Sequence, residues 1–354
     1  MRTTLKNGIS TDQASEAQAS KNRENKKHVP VVDLKLAEEN PELLKDMDLA
    51  CKNHGFFLLK NHGIDAEINA MWKKSAAFFE QPSEVKRQIQ RTETKPLGFY
   101  DRELTTRKRD LKEVFDFREV RTGKKDLNQW PRNDPEFQTV MSDFFAAAAT
   151  IAARTLNIVY RALHANGEIS NLPQGSTHTS NARLNFYPLG DPLDAQEQTS
   201  VASLGDMALH PHTDPGILTL LLQDLTGGLQ TLTREGIWID IEPEENTIVV
   251  NLGDMMQVWT NDIYKAAVHR VLPPAARTDA KNAAQARFSA PFFYSPEKDT
   301  VIRPLQLLSK TPPKYREFTW REYIQGRIDD NYADLGEDDI QIRQFYLDGA
   351  EARR

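Results

Sequence analysis

The stretch His210-Pro-His-Thr-Asp-Pro-Gly-Ile-Leu-Thr-Leu220 joins two metal-competent side chains to the start of an apolar run. In an extended chain, residues i and i+2 project from one face, so His212 and Asp214 would point together. The run over 217–223 has the length and bounding turns of a buried strand. An HxD triplet alone does not define a metal site, because most such triplets lie in solvated loops or capped turns. His210 is separated from His212 by Pro211, and nothing in the spacing gives it a direct role.

Outward from this stretch the pattern is β on both sides. Short apolar or alternating runs recur over 182–187, 228–232, 238–241, 247–252, 256–260, 267–272 and 287–293. Turn signals such as Thr226-Gly-Gly228 and Leu252-Gly-Asp254 separate them. Evenly spaced short strands predict an antiparallel sandwich or barrel, with the jelly roll as the natural candidate. Before residue 167 the texture is different. Helical spacing predicts helices over 41–51, 66–80 and 135–166, with short strands over 29–34 and 56–59, and a closing helix is predicted over 320–332. The expected organisation is a polar leader over 1–28, a mixed helical region over 29–166, a β core over 167–310 and a C-terminal helical segment over 311–354.

A second candidate ligand, His269, sits inside the apolar run Ala266-Ala-Val-His-Arg-Val-Leu272, 55 residues beyond Asp214. A lone histidine there is usually a core residue with its hydrogen bonds satisfied. Two imidazoles with one carboxylate, however, form the facial set that holds Fe(II) and leaves other positions open. Zinc accepts the same ligands, so ligand type alone does not choose the metal. Arg270 would point to the opposite face and form a structural ion pair.

The third element is Arg287-Phe-Ser289, 18 residues past His269 on the next expected strand. Period two puts the guanidinium and the hydroxyl on one face, an arrangement suited to a carboxylate. The bland alternative is an ion pair with a buried Asp or Glu, since an arginine in an apolar strand needs an anion. The strand Asn181-Ala-Arg-Leu-Asn-Phe-Tyr187 alternates Arg183, Asn185 and Tyr187 against Leu184 and Phe186, which would mark a polar cavity if those three face inward.

The bulk numbers exclude several classes. The chain has 354 residues, 39% hydrophobic and 27% charged, the balance of a globular protein. A formal net charge of −6 gives no general attraction for nucleic acid or anionic membranes. No apolar run reaches the roughly 20 residues of a membrane span. The single cysteine, Cys51, falls in a helical pattern with Leu44 and Met47 and reads as a buried apolar residue; its solitude suits a reducing cytosol. His54 and His62 flank the 56–59 run at turn positions and read as structural. No obligate protein partner is evident.

Taken together, these motifs resemble the iron(II)- and 2-oxoglutarate-dependent dioxygenases, in the branch similar to isopenicillin N synthase. The resemblance covers nearly everything after the leader. It includes the stretch from Val29 to Ile64, Lys95-Pro-Leu-Gly-Phe-Tyr100, Lys112-Glu-Val-Phe-Asp-Phe117 and Trp130-Pro131. Between Asn181 and Pro291 the HxD, distal histidine and RxS motifs stand in family order, with Gly227-Gly-Leu-Gln230 and Asn251-Leu-Gly-Asp254 between them. The resemblance implies a double-stranded β-helix (jelly roll) core with flanking helices. His212, Asp214 and His269 would ligate Fe(II), Arg287 and Ser289 would bind the distal carboxylate of 2-oxoglutarate, and Tyr187 and Asn185 would lie beside it. It implies consumption of O2, release of succinate and CO2, and oxidation of a small-molecule substrate. Halogenating relatives lack the carboxylate ligand, so Asp214 favours hydroxylation, desaturation or cyclisation. Some relatives, isopenicillin N synthase and aminocyclopropane-carboxylate oxidase among them, need no 2-oxo acid. A non-catalytic jelly-roll binding protein is the alternative of another class, and a zinc hydrolase is a third, though no general base is identifiable beside the metal. Phe99, Tyr100, Arg102, Asp116 and Phe293 are candidate substrate contacts by analogy.

Overall fold

Alternating side chains along the C-terminal half build two facing sheets. The structure, a computed structural model, describes residues 29–92, 94–105, 108–163, 171–273, 285–328 and 341–347. The strands that matter here are β1 (Val31–Asp33), β2 (Phe56–Lys60), β3 (Gly98–Tyr100), β4 (Glu113–Phe117), β5 (Gly175–Tyr187) and β6 (Leu209–His212). They continue with β7 (Leu218–Gln223), β8 (Leu229–Leu232), β9 (Trp238–Asp240), β10 (Ile248–Leu252), β11 (His269–Val271) and β12 (Arg287–Pro296). The principal helices are α1 (Leu44–Asn53), α2 (Asp65–Phe79), α3 (Pro135–Ala162), α4 (Asp254–Trp259) and α5 (Trp320–Ile328).

The large sheet runs β1-β2-β10-β7-β12-β5-β4-β3 and the small sheet β9-β8-β11-β6. This is a jelly roll, the double-stranded β-helix, whose large sheet is extended by strands from the N-terminal region. Only β1 and β2 pair in parallel within these two sheets among the described residues.

Alternation on β12 decides what each face does. Ala290 and Phe292 turn towards α3, where they join Phe144, Phe145 and Ile151 in the main core; the rings of Phe145 and Phe292 meet edge-on at 5.0 Å. A second apolar cluster fills the space between the sheets, with Phe56, Leu58, Leu221 and Val249 against Leu229, Ile239 and Val271. At the end of that space the inward residues become polar, and the candidate site lies there.

Several expectations need correction. The run over 256–260 is not a strand: Asp254–Trp259 is helical. α4 has only six residues and all of them are buried, Asp254 and Gln257 included, so no exposed polar face repeats often enough to reveal a helical period. Its start is fixed instead by close packing. Gly253 N–H donates to Ile217 O at 2.9 Å and Asp254 N–H to Asp214 O at 2.9 Å, and a Cβ on Gly253 would fall 2.3 Å from Gly216 O. Arg270 does point away from the site, but among the described residues it has no ion-pair partner: it donates to Gln230 Oε1 at 2.9 Å and its guanidinium lies 4.0 Å from the Trp238 ring centroid. Cys51 is buried, and burial pushes its thiol pKa up. The leader over 1–28 and the end of the closing helix after residue 328 lie outside the described residues.

Candidate metal centre and anion pocket

The small sheet brings the two histidines together. His212 ends β6 and is the direct cross-strand partner of His269 on β11, with ring centroids 4.3 Å apart. Asp214 is not on the strand with His212, as extended spacing suggested. It follows the strand end, and the turn through Pro215 and Gly216, held by the 253–254 backbone, aims it back at the histidines. One ligand atom from each of the three residues lies within 4.8 Å of the others.

Hydrogen bonds fix which atoms face the common point. His212 Nδ1 lies 2.8 Å from His210 O and His269 Nδ1 lies 2.9 Å from Ala267 O, so each Nδ1–H donates to a carbonyl and each Nε2 is turned inward. Those Nε2 atoms stand 3.7 and 3.8 Å from Asp214 Oδ1. The other carboxylate oxygen, Oδ2, accepts from Thr219 Oγ1 at 2.5 Å and Asn251 Nδ2 at 2.8 Å. Thr219 and Asn251 are themselves cross-strand partners on β7 and β10. The pattern leaves two imidazole lone pairs and one carboxylate oxygen convergent, as a ligand set with oriented supporting groups requires.

Electrostatics agree with that chemistry. Burial, aided by His269, pushes the His212 pKa down to about 3 against the opposing pull of Asp214, so the ring is neutral and able to ligate. Burial alone would raise Asp214, but His269, His212, Asn251 and Thr219 together bring it below the ordinary carboxylate value. Two imidazole nitrogens turned inward by their Nδ1–H bonds and one carboxylate oxygen, with Oδ1 and both Nε2 atoms unspent, fit a divalent first-row metal.

Beyond the triad, Arg287 is paired across β12–β5 with Tyr187, and Ser289 with Asn185. Asn185 Nδ2 donates to Ser289 Oγ at 3.2 Å, and the guanidinium lies 5.1 Å from the Tyr187 ring centroid. Arg287 is 0% exposed; its Nη2 donates to Gln223 Oε1 at 3.1 Å, while Nε and Nη1 have no partner among the described residues. The ion pair with a buried Asp or Glu that would have made Arg287 structural is absent among the described residues. A fully buried cation without a counter-charge costs several kcal/mol, so its surroundings fit an incoming anion such as a carboxylate.

One cavity of about 290 Å³ contains both halves, with all three triad residues and Arg287, Ser289, Tyr187 and Asn185 in its lining. Asp116 and Phe293 line it too, whereas Phe99, Tyr100 and Arg102 do not. Phe99 is core, packed on Phe78, and Arg102 pairs with Asp101 and Glu197. Arg183 lines the cavity as alternation suggested, but its guanidinium is spent on Asp116 and Glu103. His210 is held by Asp110 at 2.8 Å, outside the lining. His54 and His62 are buried beside β2, away from the cavity. The sequence did not single out Thr219 or Asn251. A hydroxyl and an amide inside the apolar runs LTLLLQ and IVVNL were the signal that could have done so.

Comparison with known proteins agrees with this geometry. The profile of the 2OG-Fe(II) oxygenase superfamily matches residues 179–296, and that of the non-haem dioxygenase N-terminal region, described from morphine synthesis, matches 29–133. The rice protein 1-aminocyclopropane-1-carboxylate oxidase 1 is 31% identical over 306 residues, covering 84% of this chain and 88% of the relative. The crystal structure of a full-length Neurospora crassa protein in complex with alpha-KG superposes with a TM-score of 0.70 at 26% identity, covering 84% of this chain and 94% of that one. JOX2, crystallised with 2OG, Fe and JA, superposes with a TM-score of 0.67 at 26% identity over 84% of each chain. The chain belongs to the 2OG-Fe(II) oxygenase superfamily. It is an Fe(II)- and 2-oxoglutarate-dependent dioxygenase acting on a small molecule. No helix among the described residues is long and apolar enough to cross a membrane.

Proposed function

We propose that His212 Nε2, His269 Nε2 and Asp214 Oδ1 hold the iron, and that Arg287 and Ser289 receive the distal carboxylate of 2-oxoglutarate. When bound, the iron and 2-oxoglutarate supply, with O2, the oxidising power to break a substrate C–H bond, and succinate and CO2 are released. The protein's own part is positional. Thr219 and Asn251 occupy Asp214 Oδ2 and thereby present Oδ1 to the metal. The carbonyls of His210 and Ala267 fix the tautomers of the two histidines. Tyr187 covers the guanidinium, Asn185 orients the Ser289 hydroxyl, and burial of all four excludes water from the anion. The presence of Asp214 supports hydroxylation, desaturation or cyclisation of the substrate.

The observation that carries the cosubstrate assignment is the buried Arg287 with two unpartnered nitrogens. Arg287→Ala tests it: the 2-oxoglutarate KM should rise at least tenfold while Fe(II) affinity stays within about twofold. An unchanged 2-oxoglutarate requirement would remove Arg287 from this role. Turnover that needs no 2-oxo acid at all would place the enzyme with the oxidases that use O2 alone.

A further inference from the structure

Asn251 and Asp254, the two ends of the motif Asn251-Leu-Gly-Asp254, grip Asp214 at different atoms. Asn251 holds the carboxylate, whereas Asp254 N–H donates to the main-chain carbonyl of Asp214 at 2.9 Å. The side chain of Asp254 turns to α5 instead. It is 0% exposed, and its Oδ2 accepts from the hydroxyl of Tyr323 at 2.5 Å. A carboxylate buried this far is costly unless it is hydrogen-bonded. Tyr323 is also 0% exposed. Its ring sits among Phe318, Trp320 and Phe345 at centroid distances of 5.7–6.2 Å, which fixes where the hydroxyl stands.

α5 reaches the same turn a second time. Arg327, four residues beyond Tyr323 and so on the same helix face, donates from Nη2 to Thr213 O at 2.8 Å. Thr213 O belongs to the peptide plane before Asp214 Cα, and Asp214 O to the plane after it. Peptides are planar, so the orientations of those two planes set φ and ψ of Asp214 and the direction of its Cα–Cβ bond. Arg327 holds the first plane. Asp254 holds the second, and Tyr323 fixes Asp254. Residues 213–216 lie outside any strand, so no sheet ladder does this for them. The same helix lines the cavity through Trp320, Ile324 and Arg327, which makes one element both wall and brace.

Resting on the site reading above, we propose that Tyr323 and Arg327 are positioning residues for the metal site. From α5 they hold the two peptide planes that flank Asp214, and so fix where its carboxylate stands relative to His212 and His269. Thr219 and Asn251 set the rotation of the carboxylate; Tyr323 and Arg327 set the backbone from which it projects.

Two measurements on the full-length protein separate this from the reading beneath it. Hydrogen–deuterium exchange over 212–217 in the metal-free protein reads the turn itself. Anaerobic titration with Fe(II) and 2-oxoglutarate, followed by the visible charge-transfer band, reads the metal. Tyr323→Phe removes one hydroxyl and keeps the ring, and Arg327→Met removes the donors and keeps the length. Each should speed exchange over 212–217 and shift or broaden the band. Each should also weaken Fe(II) binding by at least about threefold, and the two together by at least about tenfold. The 2-oxoglutarate KM at saturating iron should stay within about twofold of wild type. Arg327→Lys keeps a donor for Thr213 O and should recover most of what Arg327→Met loses. Arg321→Ala breaks an exposed ion pair with Asp299 on the same helix and should change none of these readouts.

Wild-type exchange and Fe(II) affinity in both Tyr323→Phe and Arg327→Met would overturn the proposal. An equal loss in Arg321→Ala would overturn it too, because the effect would then belong to helix docking in general. Faster exchange with unchanged Fe(II) affinity would reduce the two residues to a structural brace and count against it equally. If Tyr323→Phe fails to fold, the contrast between Arg327→Met and Arg327→Lys decides. A wild-type protein that shows no band would instead refute the metal and cosubstrate reading, whatever the exchange shows.

Discussion

Removing the amide of Asn251 tests how the protein aims Asp214, the carboxylate we propose as a metal ligand. Asn251 Nδ2 donates to Asp214 Oδ2 at 2.8 Å, and both residues are buried, at 1% and 3% exposure. A hydrogen bond to a charged acceptor is worth about 1.5–3 kcal/mol, and bulk water cannot freely replace this one. Thr219 retains its own bond to the same oxygen, so the carboxylate should stay ionised but gain rotational freedom. Loss of a group that orients a ligand typically costs about 10–100-fold in metal affinity, or about 1.4–2.8 kcal/mol, which matches the hydrogen-bond figure. Asn251→Ala should therefore weaken Fe(II) binding by one to two orders of magnitude in anaerobic titration with 2-oxoglutarate present. Thr219→Val, nearly isosteric, should do the same to a similar degree. Wild-type Fe(II) affinity in both variants would refute the argument that Oδ2 is anchored so that Oδ1 can ligate.

Gly253→Ala would place a methyl group 2.3 Å from Gly216 O and 2.9 Å from Asp214 O, so the 214–216 turn must shift; on the proposed ligand set, Fe(II) affinity should fall more than global stability, read by titration and thermal melting. Burial alone would raise the Glu103 pKa, but Arg183, Lys112 and Arg91 hold it well below 4.5. Its stabilising contribution is then present above the ordinary glutamate pKa and lost as pH falls through the depressed folded value, so Glu103→Gln should flatten the acid limb of a stability–pH curve measured by denaturant unfolding. Phe292→Ala empties the position between β12 and α3 and should cost about 3–5 kcal/mol in urea unfolding while leaving the 2-oxoglutarate KM within twofold.

Period-two alternation makes one half of the site legible in the amino-acid sequence alone. Arg287 and Ser289 share a face because β12 is straight at that point, and the same rule places Tyr187 and Asn185 opposite them on β5. The His212–His269 pairing was legible only as motif order, since strand register between β6 and β11 depends on contacts across 57 residues (269 − 212). Asp214 shows where strand logic stops: its aim comes from a turn braced by Gly253, not from alternation. The helix at 254–259 escaped because a fully buried helix shows no amphipathic period. The charge cluster of Arg91, Glu103, Lys112, Asp116 and Arg183 escaped for another reason. Its members come from separate segments that only the fold brings together.

The most direct test of the account is the anaerobic spectrum of the full-length protein with Fe(II) and 2-oxoglutarate. The wild type should show a visible charge-transfer band that requires both components, saturating at one Fe(II) and one 2-oxoglutarate per chain. Asp214→Ala and His269→Ala should lose the band together with succinate production. A wild-type protein that binds neither component, or a triad variant that keeps band and turnover, would contradict the assignment of His212, Asp214 and His269 as the iron site.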